Sequence, residues 1–104
     1  MSIAPILGRL RTGLQTMYGP RFRGLYIFGS YARGRQDSES DVDLLIVLDR
    51  VERYADEIDR TGPLISNLSL DAGVSLSRVI VSDAEWNAGA TRFLVTVRED
   101  AVAV

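Results

Sequence analysis

Residues 29–43 read Gly29-Ser30-Tyr31-Ala32-Arg33-Gly34-Arg35-Gln36-Asp37-Ser38-Glu39-Ser40-Asp41-Val42-Asp43, and the chain runs on as Leu44-Leu45-Ile46-Val47-Leu48. A Gly-Ser pair, ten intervening residues and an Asp-x-Asp pair therefore open onto an unbroken apolar run. The run predicts a strand over Val42–Leu48, apolar on both faces and so central in its sheet. Side chains alternate across a strand, which puts Asp41 and Asp43 on one face with Cα atoms roughly 6.5–7 Å apart. Two carboxylates that close repel each other, and beside buried surface they are costly unless a cation lies between them. Magnesium suits such a pair, because it is held by carboxylate oxygens together with substrate phosphates.

Working outward, Leu25-Tyr26-Ile27-Phe28 is a short apolar run bounded by glycines, which predicts a buried strand just before Gly29. Ser30–Arg33 reads as the start of a short helix, and Gln36–Ser40 as a polar loop. N–H groups at a helix start point outward and the helix dipole favours an anion there. Glycine lets the backbone come close to a phosphate, and the Ser30 hydroxyl adds a donor. Taken singly, Gly-Ser is a common turn and cap, and Asp-x-Asp is common turn chemistry. Together, a phosphate-type turn, a fixed spacer, two acids on one strand face and an apolar strand behind them are improbable by chance.

The composition narrows the chemistry. The 104 residues suffice for one small domain, 1–104, and not for two. A net charge of −2 leaves no basic surface of the kind a nucleic-acid binder needs. All 12 basic residues are arginine, a side chain suited to phosphates. There is no cysteine, which excludes disulfides, thiolate zinc sites and cysteine nucleophiles, and no histidine, which removes the usual general base. Catalysis would have to use carboxylates, hydroxyls and bound metal. No apolar run approaches the ~20 residues of a membrane span, and Arg9 and Arg11 interrupt the N-terminal apolar stretch, so neither a membrane protein nor a signal peptide is expected. A cytoplasmic location is the expectation.

The remaining chain reads as alternating elements. Ile3, Ile6, Leu7, Leu10, Leu14 and Met17 form one stripe of an amphipathic helix over Ser2–Tyr18, with Pro5 in its first turn and Gly19-Pro20 ending it. Val51–Leu70 is mostly helical, kinked or divided at Gly62-Pro63. Val74–Val81 predicts a third strand, with Val74, Leu76 and Ile80 on one face and Ser75, Ser77, Val79 and Val81 on the other. Ser82-Asp83-Ala84-Glu85 is a capping box that opens a short helix carrying Trp86. Phe93–Arg98 fits either a helix or a strand, with helix preferred. Ala101–Val104 reads as an edge strand or a dimer contact.

Gly29-Ser30-x10-Asp41-x-Asp43, with Ala32-Arg33-Gly34 and Ser40 inside it, resembles the signature of the nucleotidyltransferase superfamily related to DNA polymerase beta. More narrowly, the short chain resembles the minimal nucleotidyltransferases that pair with HEPN toxins in prokaryotic toxin–antitoxin modules. Tyr18-Gly19 and Val97-Arg98-Glu99-Asp100 also look like that group. The resemblance implies an α/β (α+β) fold, a small mixed β-sheet flanked by helices. It implies magnesium and ATP as cofactors and transfer of AMP to a hydroxyl of a partner protein, with the chain acting as antitoxin. In that scheme Asp41 and Asp43 are the catalytic metal ligands, Gly29 and Ser30 cradle the β- and γ-phosphates, and Arg33, Arg35 and Ser40 lie within reach of the nucleotide. A homodimer or hetero-oligomer is compatible with it.

One departure stands out. Active members of the family carry a third carboxylate on a neighbouring strand, and the matching positions, Ser75 and Ser77, are not acidic; Ser75 is the preferred match because it lies nearer the strand's start. A hydroxyl is a poor substitute for a carboxylate in binding a second metal. The alternative reading is a weak or inactive nucleotidyltransferase-fold module that neutralises a HEPN ribonuclease by binding it.

Overall fold

A computed structural model describes residues 3–29, 31, 32, 34 and 41–104. Four strands form one mixed sheet: β1 (Phe22–Phe28), β2 (Val42–Leu48), β3 (Leu76–Ser82) and β4 (Val102–Ala103), in the order β3-β2-β1-β4. β1 runs antiparallel to β2 and to β4, and β2 runs parallel to β3. The helices are α1 (Ala4–Tyr18), α2 (Tyr54–Ala72), α3 (Asp83–Ala88) and α4 (Arg92–Asp100). This is the mixed sheet flanked by helices that the family resemblance implies. Among the described residues no helix is long and apolar enough to cross a membrane.

β2 is central because its sequence leaves it no other place. Every residue from Val42 to Leu48 except Asp43 is buried, so both faces must be covered and both edges paired. Val42, Leu44, Ile46 and Leu48 face α1 and α2, where Leu10 and Leu14 are fully buried. Leu45 and Val47 face the other way, toward Val81, Leu94 and Val97. Burial of a leucine or isoleucine side chain stabilises by about 1.5–3 kcal/mol, so these two layers fix the strand's direction and register. On α1, a Cβ at Gly13 would lie 2.9 Å from Leu64, so the missing side chain lets α2 settle close against α1.

Several boundaries differ from the sequence reading. β1 begins at Phe22 rather than Leu25, and an irregularity in its pairing between Phe22 and Gly24 had hidden the alternation. β3 spans Leu76–Ser82 rather than Val74–Val81. Pro63 does not divide α2, which runs unbroken across it. Proline removes a helix donor, and the turn before it gains donors from β3: Arg78 Nη2 donates to the Ile58 carbonyl at 2.6 Å and Arg78 Nε to Thr61 Oγ1 at 2.8 Å. Phe93–Arg98 lies within a helix, and the Ser82–Glu85 capping box forms as predicted. Val102–Ala103 is an edge strand on β1.

The end of the sheet farther from Asp43 is closed by a buried polar network. Glu57 is 5% exposed and accepts from Tyr18 Oη at 3.0 Å, Arg60 Nη1 at 2.9 Å and Arg21 Nη2 at 3.0 Å. Arg21 Nε also donates to Asp49 Oδ1 at 3.0 Å, tying α1, β2 and α2 together. Burial works to raise the pKa of Asp49, but hydrogen bonds from Arg21 and the Arg50 N–H, with the charges of both arginines, hold it below the ordinary carboxylate value. Burial, and then the Glu57 carboxylate, push the Tyr18 phenol up to about 12, against the opposing pull of Arg60 and Arg21.

The phenol of an unfolded chain titrates near 10, so between pH 10 and 12 the unfolded state releases a proton that the folded state keeps. The stability linked to Tyr18 is fully present below pH 10 and is lost as pH rises toward 12. Tyr18→Phe removes this linkage and, near neutrality, costs about 0.5–1.5 kcal/mol for the lost hydrogen bond. Urea denaturation of both proteins from pH 9 to 12 should show the wild type losing stability faster than the variant; parallel curves would refute the assignment.

Candidate functional site

The strand ends that carry Gly29 and Asp43 meet at one end of the sheet. β1 ends at Phe28 and passes into Gly29, while antiparallel β2 begins beside it, with Phe28 paired to Asp43. Parallel β3 starts at the same end, and Asp43 pairs there with Ser77. Asp43 is half-buried and Asp41 exposed. Asp41 lies one residue before β2 rather than within it, and the Val42 N–H donates to the Ser75 carbonyl at 2.9 Å, so pairing begins between the two acids. Val42 and Leu44 belong to the α1/α2 layer, which leaves the alternating positions 41 and 43 for the opposite side of the sheet.

Gly29 is the position where the absence of a side chain matters. Its φ is +74°, a left-handed conformation that side chains rarely adopt, and a Cβ built on it would lie 2.5 Å from Asp43 Oδ2. The carboxylate thus comes up against the glycine backbone. That closeness brings the two halves of the sequence motif side by side, with the Asp43 carboxylate in the space that any side chain on residue 29 would need. Carboxylate oxygens of this kind are the donor type that suits magnesium.

The structure also revises the expected neighbours. Ser77, not Ser75, lies directly across from Asp43; Ser75 precedes β3 and contributes its backbone carbonyl. Among the described residues no group of three or more metal-binding side chains forms. Tyr31, Ala32 and Gly34 lie in a turn, with the Gly34 N–H donating to the Tyr31 carbonyl at 3.2 Å, rather than in the expected helix. Ser30, Arg33, Arg35 and Ser40, and with them the loop Gln36–Ser40, lie outside the described residues.

Sequence reasoning missed Phe28 as the neighbour of Asp43, and Phe93 as the neighbour of Phe28. Their rings meet edge to face, with centroids 5.9 Å apart and planes at 84°. The pairing of Phe28 with Asp43 followed from strand register, which no local pattern reveals. A concave region of about 330 Å³ lies at the opposite end of β2 and is lined by Arg21, Arg50, Glu52, Arg53, Asp56, Glu57 and Arg60. Asp49 lies six residues beyond Asp43, about 20 Å along an extended strand, so that region is separate from the paired acids. Its buried carboxylate, Glu57, is already satisfied by Tyr18, Arg21 and Arg60, which marks it as structural.

Residues 7–102 match the model of the nucleotidyltransferase domain family. The chain is 35% identical over 74 residues to a candidate protein adenylyltransferase of Methanocaldococcus jannaschii, MJ0604, covering 71% of this chain and 68% of that one. Among solved structures, it is similar in fold to a candidate minimal nucleotidyltransferase at a TM-score of 0.65 and 22% identity, covering 100% of this chain and 97% of that chain. It is also similar in fold to a chain of a toxin–antitoxin determined with AMP-PNP, at a TM-score of 0.56 and 18% identity, covering 90% of this chain and 68% of that chain.

Gly29→Val is expected to be doubly unfavourable, through its positive φ and its collision with Asp43. The strain should cost on the order of 1–3 kcal/mol of stability. Thermal or urea unfolding of the variant checks this, and a variant as stable as wild type would show that Gly29 does not hold this conformation.

Proposed function

The chain belongs to the nucleotidyltransferase domain family, and from that premise we propose that it transfers AMP from ATP to a hydroxyl of a partner protein, with magnesium held by Asp41 and Asp43. The observation that carries the proposal is the approach of Asp43 Oδ2 to Gly29, which brings a metal-type carboxylate and a phosphate-type backbone turn together. The relative from M. jannaschii supports a protein acceptor, and the toxin–antitoxin neighbour supports a toxin partner. A HEPN toxin is the partner we propose, and the chain is then its antitoxin, acting in the cytoplasm.

In this scheme Gly29 lets the β- and γ-phosphates come close to the backbone, with Ser30, Arg33 and Ser40 as further contacts to the nucleotide. Bound magnesium supplies charge neutralisation on the phosphates and at the departing pyrophosphate. The acceptor oxygen bonds to the α-phosphorus as the bond from that phosphorus to the bridging oxygen breaks. Pyrophosphate leaves, and the acceptor proton passes to solvent or a carboxylate, since the chain has no histidine. Asp43 lies between Phe28 on β1 and Ser77 on β3; in the proposed scheme the phosphates take the Gly29 side and the acceptor the β3 side.

One observation favours a second reading. Ser77 stands across from Asp43, where a carboxylate would complete an acidic triad. A chain lacking that acid could bind nucleotide and mask its partner without transferring AMP at a useful rate.

Calorimetry with ATP, with and without magnesium, tests the site. Asp41→Asn combined with Asp43→Asn is expected to abolish magnesium-dependent ATP binding while keeping the fold. In metal-free buffer the double variant should melt at or above the wild-type temperature, because carboxylate repulsion is relieved. Equal metal-dependent affinity in both proteins would sink the assignment. Labelled AMP transfer to the co-produced partner separates the two readings: the enzyme labels the partner, whereas the masking module does so only once Ser77→Asp restores the acid.

A further inference from the structure

The proposed reading assigns the phosphates and the metal but leaves the rest of the nucleotide unheld. The α3/α4 side of the sheet carries two aromatic contacts in series along β1. Tyr26 and Trp86 meet with centroids 4.7 Å apart, and both pack against the second apolar cluster. Phe28 and Phe93 meet one step further along, at the strand end that carries Asp43. Phe28 also packs against that cluster, but Phe93 is 44% exposed. Its helix is anchored through its neighbours Leu94 and Val97, both buried, so α4 is held without Phe93.

A lone exposed apolar residue is ordinary on a protein surface. What distinguishes Phe93 is its position. Its ring rests on Phe28, whose Cα partner is Asp43 and whose next residue is Gly29. The Phe93 ring therefore lies one side chain beyond the Phe28–Asp43 pair, on the β1 side that leads into Gly29. A nucleotide whose phosphates lie against the Gly29 turn would extend its base past the ribose toward that side.

We propose that Phe93, steadied by Phe28, is the platform on which the nucleobase of the bound nucleotide stacks. The inference rests on the nucleotide-binding reading above and deepens it by assigning the base-binding subsite. Stacking uses the π face that every base has, so the subsite selects weakly among bases and favours the larger purine ring.

Calorimetric titration with magnesium–ATP and with magnesium–tripolyphosphate tests this on wild type, Phe93→Leu and Phe93→Ala. Tripolyphosphate reports on the phosphate and metal groups alone. Wild type should bind ATP more tightly than tripolyphosphate. Phe93→Ala should weaken ATP binding by about tenfold and leave tripolyphosphate binding unchanged. Phe93→Leu keeps the apolar bulk and the fold but lacks the π face, so it should lose most of the same affinity, whereas Phe93→Trp should keep it. Wild-type ATP affinity in Phe93→Leu would overturn the proposal, as would a wild type that binds ATP no better than tripolyphosphate. ATP affinity untouched by all three substitutions, with AMP transfer to the partner reduced, would mean that the ring serves the acceptor instead and would also overturn it. A wild type that binds neither ligand would bring down the nucleotide-binding reading itself, an outcome distinct from loss of the base contribution alone.

Discussion

The burial of β2 is the constraint on which the rest of the structure depends. An extended segment whose side chains are apolar on both sides is stable only when helices cover both faces and strands pair with both edges. That requirement draws α1 and α2 to one side and α3 and α4 to the other. It also makes β1 and β3 immediate neighbours of β2. A slip of one residue would turn Asp43 into the α1/α2 layer and Leu44 out of it, so register is set by the same apolar side chains that make the core.

The candidate site is a consequence of that register. Asp43 is the one position in β2 that is not fully buried, and it lies where three strand ends coincide. β1 delivers Gly29 against its carboxylate, and β3 delivers Ser77 on the other side. Asp43 is paired on both sides within the sheet, while Asp41, one residue outside the strand, is exposed. The buried strand thus ends in a polar mouth without placing charge inside the core.

The opposite end of the sheet shows a different use of polar groups. Glu57 is buried, but two arginines and a tyrosine meet its oxygens, and this balance makes its burial tolerable. Arg78 plays a related part in α2, offering donors to the turn that precedes Pro63. In both places an arginine reaches between elements that are distant in sequence and donates to oxygens where it ends, a carboxylate for Arg21 and a carbonyl and a hydroxyl for Arg78. At the other end of the sheet, no group of three or more metal-binding side chains forms among the described residues. The Glu57 network closes one end of the fold, and Asp43 marks the other.

The sequence by itself determined the family signature, the centrality of Val42–Leu48 and the sidedness of the strands. Each rests on a local pattern: apolar run, alternation or fixed spacing. It also determined the Ser82–Glu85 cap, because a capping box is made by residues three apart. It did not determine where β1 starts, since the irregularity after Phe22 breaks alternation, or the continuity of α2, since the donors that support the turn before Pro63 come from β3. The choice between Ser75 and Ser77 likewise lay beyond it, because both occupy the same face and only pairing with β2 separates them. Phe93 looked like one more apolar position on a helix whose type was itself ambiguous. Only tertiary packing, which buries Leu94 and Val97 and leaves Phe93 on Phe28, the strand partner of Asp43, decided its place. Contacts between strands and helices distant in the chain depend on register and burial, and those are properties of the assembled core rather than of any short stretch of sequence.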